Sequence, residues 1–220
     1  MTAFNKNTFI QLLLDYQVLK FGEFTLKSGR VSPYFFNAGL LSSAKALDML
    51  ASGYADILAK QLKDASNPTI FGAAYKGIPF VAATAQTLWQ KHQIDVDWGY
   101  NRKETKTHGE GGNLVGAPLL GKSVWVIDDV MTAGTAVREV VDILGGAGAT
   151  LAGIVIALDR KERGQDTRSA VEQIKEDLDV PVFSLVDIDD IIEFLRNKGE
   201  HQILEKMRAY RNEYGVSKGL

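Results

Sequence analysis

Between Asn7 and Lys20 apolar side chains recur at Phe9, Ile10, Leu13, Leu14 and Val18. This spacing lines one face of a 3.6-residue turn and predicts an amphipathic helix. EFTL and VSPYFFN follow, two short aromatic and β-branched runs joined by KSGR, whose Ser-Gly is a turn signal, so a small hairpin is expected. A long helical pattern then runs from Ser43 to about Lys63. From Thr69 the order becomes strand, helix, strand: TIFGAAY, IPFVAATAQTLWQKH and DVDWGY. KSVWVID leads into a helix at TAVREVVDILGG, TLAGIVIALDR into one near Thr167 to Leu178, and VFSLVDI into IIEFLRNK. A last helix, His201 to about Tyr214, is polar on most of its surface. Near-continuous apolar strands alternating with helices predict an α/β, doubly wound fold, a mostly parallel central sheet flanked by helices, with a small N-terminal addition. One stretch, NRKETKTHGEGG from Asn101 to Gly112, has charges of both signs, three glycines and no apolar period, and reads as a mobile surface loop.

Composition narrows the function classes. The 220 residues are 45% hydrophobic and 24% charged, with 25 Lys and Arg against 27 Asp and Glu, a net charge of -2. No global basic field is present to hold nucleic acid or an anionic membrane, so any anion site must be a local cluster. The chain has no cysteine, which excludes disulfides, thiolate metal sites and a thiol nucleophile and suits a reducing cytoplasm. Its first residues have no basic run ahead of an apolar one, so no export signal is expected. The longest apolar stretch, Leu151 to Leu158, falls far short of the roughly 20 residues of a membrane span.

The strongest chemical feature is VWVIDDVMTAGTA, Val124 to Ala136: a buried strand, two acids, then small and hydroxyl residues opening a helix. Ligands of open α/β sheets bind beyond the carboxyl ends of strands. Main-chain N–H groups of Thr132 to Thr135, with two hydroxyls and no bulk at Ala133 or Gly134, can surround a phosphate at the positive end of the helix. Asp128 and Asp129, exposed after the strand, can accept from ribose hydroxyls or help hold a hydrated Mg2+ brought by the substrate. The segment is neither a Walker loop nor a dinucleotide-binding glycine fingerprint.

VWVIDDVMTAGTA resembles the phosphoribosyl diphosphate signature of the type I phosphoribosyltransferases. FTLKSGR with SPYFFN, AYKGI at Ala74 to Ile78, RKETKTHGEGG at Arg102 to Gly112 and ALDR ending at Arg160 are similar to motifs of the bacterial orotate phosphoribosyltransferases. The resemblance covers Phe24 to Arg160. It implies a single domain over residues 1–220, with residues 1–40 as a helix-and-hairpin hood over the base site. The implied reaction joins orotate to phosphoribosyl diphosphate, giving orotidine 5'-monophosphate and diphosphate, a step of pyrimidine biosynthesis.

That reaction leaves positive charge on the ribose and negative charge on the departing diphosphate, so cations are needed at the leaving group. Lys76, Arg102, Lys103, Lys106 and His108 are the candidates, four of them in one glycine-bounded loop that can close over the substrate and exclude water. The resemblance implies Lys106, His108, Asp128 and Asp129 as catalytic. It assigns phosphoribosyl diphosphate to these four with Lys27, Tyr75, Lys76, Arg102, Lys103 and the run Val130, Met131, Thr132, Ala133, Gly134, Thr135 and Ala136. Orotate falls to Phe35, Phe36, Thr132 and Arg160. Phe35 and Phe36 alternate across a strand, so only one can face the base directly. Arg160, at the end of an apolar strand, suits a planar carboxylate or imide. Mg2+ is expected through the diphosphate and water, without a direct protein ligand. The family further implies a homodimer whose loop 101–112 is shared between subunits. Two other readings are a non-catalytic regulator that senses phosphoribosyl diphosphate and a purine phosphoribosyltransferase. The first lacks an appended DNA-binding segment or basic surface here, and the second sits poorly with Lys27, Phe35, Phe36 and Arg160.

Overall fold

The computed structural model describes residues 3–26, 28–106, 112–132, 134–164 and 167–216. Helix α1 (Lys6–Asp15) opens on Asn5, whose side chain accepts from the N–H of Thr8. It ends sooner than the apolar spacing predicts, because Gln17 takes a positive φ of 57° and turns the chain. Val18 is buried all the same, at the entry to β1 (Leu19–Thr25), which pairs antiparallel with β2 (Val31–Phe36) in the expected hairpin. Helix α2 (Ala44–Leu62) is capped by Ser43.

The central sheet is built from β3 (Thr69–Gly72), β4 (Asp97–Lys106), β5 (Gly112–Gly116), β6 (Ser123–Val130), β7 (Thr150–Asp159) and β8 (Val182–Asp187). Their spatial order is β5-β4-β3-β6-β7-β8, and every neighbouring pair is parallel except β4 with β5. The helices between them are α3 (Gly77–His92), α4 (Thr135–Gly146) and α5 (Ala170–Leu178), followed by α6 (Ile188–Lys198) and α7 (His201–Tyr214). Side chains alternate across each strand, so β6 sends Val124 and Val126 one way and Trp125 and Ile127 the other. The first pair joins Phe71, Ile154 and Ile156 under α4 and α5. The second joins Ile70, Val155 and Ala157 in a core completed by α1, α2, α3, α6 and α7. Both faces are covered, which is why these strands are apolar throughout.

Two boundaries differ from the sequence expectation through capping. Ser169 starts α5 with a reciprocal box to Glu172, and Asp187 starts α6 earlier than expected with a box to Asp190. The segment expected as loop 101–112 is largely ribbon. Asn101 to Lys106 continue β4, Gly112 begins β5, and Lys106 pairs with Gly112 across an irregular register. A two-stranded edge ribbon needs no apolar period, and this one shows none; its centre, 107–111, lies outside the described residues. No helix among the described residues is long and apolar enough to cross a membrane.

Sheet order reverses at β3 and β6. From β3 the chain steps to β4 on one side, and from β6 to β7 and β8 on the other, leaving a crevice above the carboxyl ends of β3 and β6. Helix α3 starts tight against β3, where a Cβ on Gly72 would lie 2.1 Å from the carbonyl oxygen of Gly77. Gly72→Ala should therefore lower stability by about 2–3 kcal/mol and the melting temperature by roughly 5–10 °C. Gly145→Ala, where a Cβ meets nothing within 4 Å, should raise stability by about 0.5 kcal/mol. Thermal unfolding of the two variants checks this, and equal effects would contradict the close approach.

Candidate active site

The crevice is floored by two acids. The sequence argument expected them exposed beyond the strand, but β6 continues to Val130 and its pairing with β7 runs to Leu158, so both lie within the sheet. Asp129 is only 8% exposed. Its Oδ2 accepts from Lys76 Nζ at 2.7 Å, and its Oδ1 accepts from the N–H of Val130 at 3.0 Å. Asp128 Oδ1 accepts from the N–H of Asp129 at 2.8 Å, while Tyr54 Oη, buried on α2, donates to the Asp128 carbonyl at 2.8 Å. Burial first, then the charge of Asp129, push the Asp128 carboxyl up to about 7; the Asp129 N–H and Lys76 pull it only part of the way back.

Past the acids, Met131 is buried and Thr132 is exposed. Gly134, at φ 70°, precedes α4 as its N-cap with no side-chain cap, and no acid stands in the first turn. A residue with a Cβ is disfavoured at that φ, and here its Cβ would also meet Ile174 at 3.0 Å. The uncapped N–H groups of α4 and its positive dipole end suit an anion. Thr135 and Ala136 are exposed at this opening.

Across the crevice, the turn after β3 presents Tyr75, 61% exposed, and Lys76; the Ala74–Tyr75 peptide is cis. Strand β4 is tied to this turn by Asn101, whose Oδ1 accepts from the N–H of Ala74 at 2.9 Å. Lys103 Nζ then lies 5.5 Å from the centre of the Tyr75 ring. Tyr75, Lys76, Lys103, Asp128 and Asp129 thus come together as expected. Asn101 and Tyr54 were missed, since neither a strand asparagine nor a core tyrosine carries a local signal. Arg102 joins the group through no contact among the described residues, and its Nη1 is buried without a partner.

A second cluster lies at the end of β7. Arg160 was expected to await an external anion, but Glu162 already meets it. Glu162 Oε1 accepts from Arg160 Nε at 2.9 Å, from Arg160 Nη2 at 2.7 Å and from Tyr34 Oη at 3.1 Å. Burial works against charge on Arg160, yet the Tyr34 oxygen and Glu162 outweigh it and hold the guanidinium above its ordinary pKa. Of the two hood phenylalanines, Phe36 shares the Tyr34 side of β2 and packs on the core, while Phe35 is 40% exposed against Phe24, ring centres 5.5 Å apart. Lys27, His108 and Ala133 lie outside the described residues, and of Lys106 only the backbone is described.

Known proteins share this sequence and fold. The phosphoribosyl transferase domain model matches residues 43–186. An orotate phosphoribosyltransferase of Acinetobacter baylyi is 59% identical over 216 residues, covering 98% of both chains. One of Acinetobacter baumannii strain ACICU is 58% identical over 215 residues, 97% of this chain and 98% of the relative. The crystal structure of the Francisella tularensis orotate phosphoribosyltransferase superposes with a TM-score of 0.84 at 43% identity, over 95% of this chain and 100% of that one. With near full-length identity on this scale and the same fold, the chain belongs to the orotate phosphoribosyltransferase family of type I phosphoribosyltransferases.

Proposed function

We propose that the protein transfers the 5-phosphoribosyl group of phosphoribosyl diphosphate to orotate, yielding orotidine 5'-monophosphate and diphosphate for pyrimidine biosynthesis in the cytoplasm. The full-length likeness to orotate phosphoribosyltransferases carries this reading. The crevice chemistry supports it. The uncapped start of α4, with Thr132, Ala133, Gly134 and Thr135, takes the 5'-phosphate. Asp128 and Asp129 accept from the ribose hydroxyls. As the anomeric C–O bond breaks, its electron pair leaves with the diphosphate, and an orotate ring nitrogen forms the new bond to carbon as its N–H proton is released to solvent. Lys76 and Lys103 bring positive charge to the departing oxygens, joined by Arg102, Lys106 and His108 of the segment 101–112.

The donor set fits Mg2+. Asp128 and Asp129, two adjacent carboxylates on the crevice floor, would hold a hydrated Mg2+ through water together with the substrate's phosphate oxygens. Bound there, Mg2+ would neutralise diphosphate charge. Residues 1–40 form the hood of one domain spanning 1–220, orotate lies against Arg160, Thr132 and Phe35 with Phe36 behind, and Lys27 serves the phosphoribosyl diphosphate. The segment 101–112 is shared between the two subunits of a homodimer.

Mixing the protein with orotate, phosphoribosyl diphosphate and Mg2+ should deplete orotate absorbance and release one diphosphate per orotate. Binding of phosphoribosyl diphosphate without orotate consumption would refute the enzyme reading. Lys106→Ala should lose most turnover, and mixing it with an Asp128→Asn, Asp129→Asn double variant should restore part of it. No recovery despite demonstrated subunit exchange would remove the shared site.

Asp128 also sets a pH dependence. Its folded value of about 7 stands above the ordinary 3.8, so between these limits the folded state binds more protons than the unfolded one. Stability from this group therefore falls as pH rises from about 4 to about 7, by an amount on the order of 2–4 kcal/mol. Asp128→Asn keeps the acceptor for the Asp129 N–H and loses the charge. Urea unfolding should find it more stable than the parent at pH 8, with the difference fading toward pH 4; a difference independent of pH would contradict the burial argument.

A further inference from the structure

The Arg160 cluster contains more than its arginine. Glu162 Oε1 occupies the Nε and Nη2 edge of the guanidinium, and Tyr34, fully buried, sets its ring centre 4.9 Å from Arg160 Cζ and its hydroxyl 3.0 Å from Nε. Among the described residues nothing is bonded to Nη1, which leaves the Nη1 and Nη2 end for a planar acceptor. The side chains of Arg160 and Glu162 are 14% and 16% exposed, so little water competes for this geometry.

Glu162 is itself held from the far side. Its backbone bridges Gly215 through the bonds from Arg163 N–H to the Tyr214 carbonyl at 2.8 Å and from Val216 N–H to the Lys161 carbonyl at 2.9 Å. Arg211 Nη1 secures the Val216 carbonyl at 2.6 Å, and Tyr210 packs edge-on against Tyr34. The segment after α7 thus fixes the backbone whose side chain aims Arg160.

We propose that Glu162 is a positioning residue that turns the free end of Arg160 toward the orotate carboxylate and adjoining ring oxygen, with α7 and its return segment as the brace. This rests on the assignment of Arg160 to orotate. The charge balance fits. Arg30 Nη1 stands 3.8 Å from Glu162 Oε2, so two guanidinium groups and one carboxylate carry a net single positive charge opposite a monoanionic base. Glu162 weakens the bare attraction for orotate and gains fixed direction in return.

Charge and direction predict opposite signs, which makes the test decisive. Steady-state kinetics on the full-length enzyme, varying each substrate in turn, should find the orotate KM raised about tenfold in Glu162→Ala, with kcat and the phosphoribosyl diphosphate KM within about twofold of the parent. Glu162→Gln, nearly isosteric and still an acceptor, should fold if the alanine variant does not, and should raise the orotate KM by a smaller factor of about three. An unchanged or lowered orotate KM in folded Glu162→Gln would overturn the proposal, because loss of the negative charge alone should tighten binding. Arg160→Ala separates the two readings. If it raises the orotate KM at least tenfold while the Glu162 variants do not, only the positioning role fails; if it does not raise it, the assignment of Arg160 to orotate fails and the positioning role with it.

Discussion

Two adjacent carboxylates sit inside the sheet at the point where its strand order reverses, and their burial is the constraint around which the site is organised. Charge in such a place is unfavourable unless it is paired. Asp129 finds Lys76 from the opposite wall of the crevice at 2.7 Å. Among the described residues Asp128 receives one main-chain N–H and no paired cation, and burial pushes its carboxyl up to about 7. The protein thus holds an acceptor that gains from ligand hydroxyl donors, beside a helix start whose N–H groups have no side-chain cap. Tyr54 and Asn101 have no reacting partner. They hold the β6 main chain and the turn after β3 so that the walls keep their spacing.

The acid pair and the Arg160 cluster are linked by sheet register. Val130 of β6 pairs with Leu158 of β7, and Arg160 follows two residues later. A slip of one residue would turn the side chains of a strand to the opposite face, so the pairing of two buried strands fixes the span between the Asp128–Asp129 pair and Arg160. Helix α7 completes this frame from outside. Its buried face, Leu204, Met207 and Tyr210, joins the main core, and the chain beyond it returns to bridge Glu162.

The legible parts were those with local signatures. An apolar run ending in Asp-Asp and opening into small residues has few structural meanings, so β6, α4 and the acids could be read directly from the chain. Ser43 before an amphipathic stretch located α2 in the same way. What escaped depends on distant residues or on the absence of a core. The ribbon through Asn101 and Lys106 is an edge pair whose exposed residues carry no apolar period. The overshoot at α1 arose because Val18 keeps the helical spacing while Gln17 has already turned the chain. Glu162 stands only two residues beyond Arg160 but carries no periodic signal, and Tyr34, 126 residues from the arginine, meets both, so an arginine that looked unpaired has its partner in its own chain.

Proton-linked binding tests the role of the buried acids most directly. If ribose hydroxyls donate to Asp128, the ionised carboxyl is the binding form, and titration calorimetry with Mg2+ and phosphoribosyl diphosphate should show affinity rising as pH passes through about 7. The ligand's own phosphate protonation contributes equally to parent and variant, so the comparison with Asp128→Asn isolates this group. The account predicts a rise of about tenfold across the transition in the parent beyond that of the variant. Identical pH dependence in the two proteins would contradict it and take Asp128 out of the binding site.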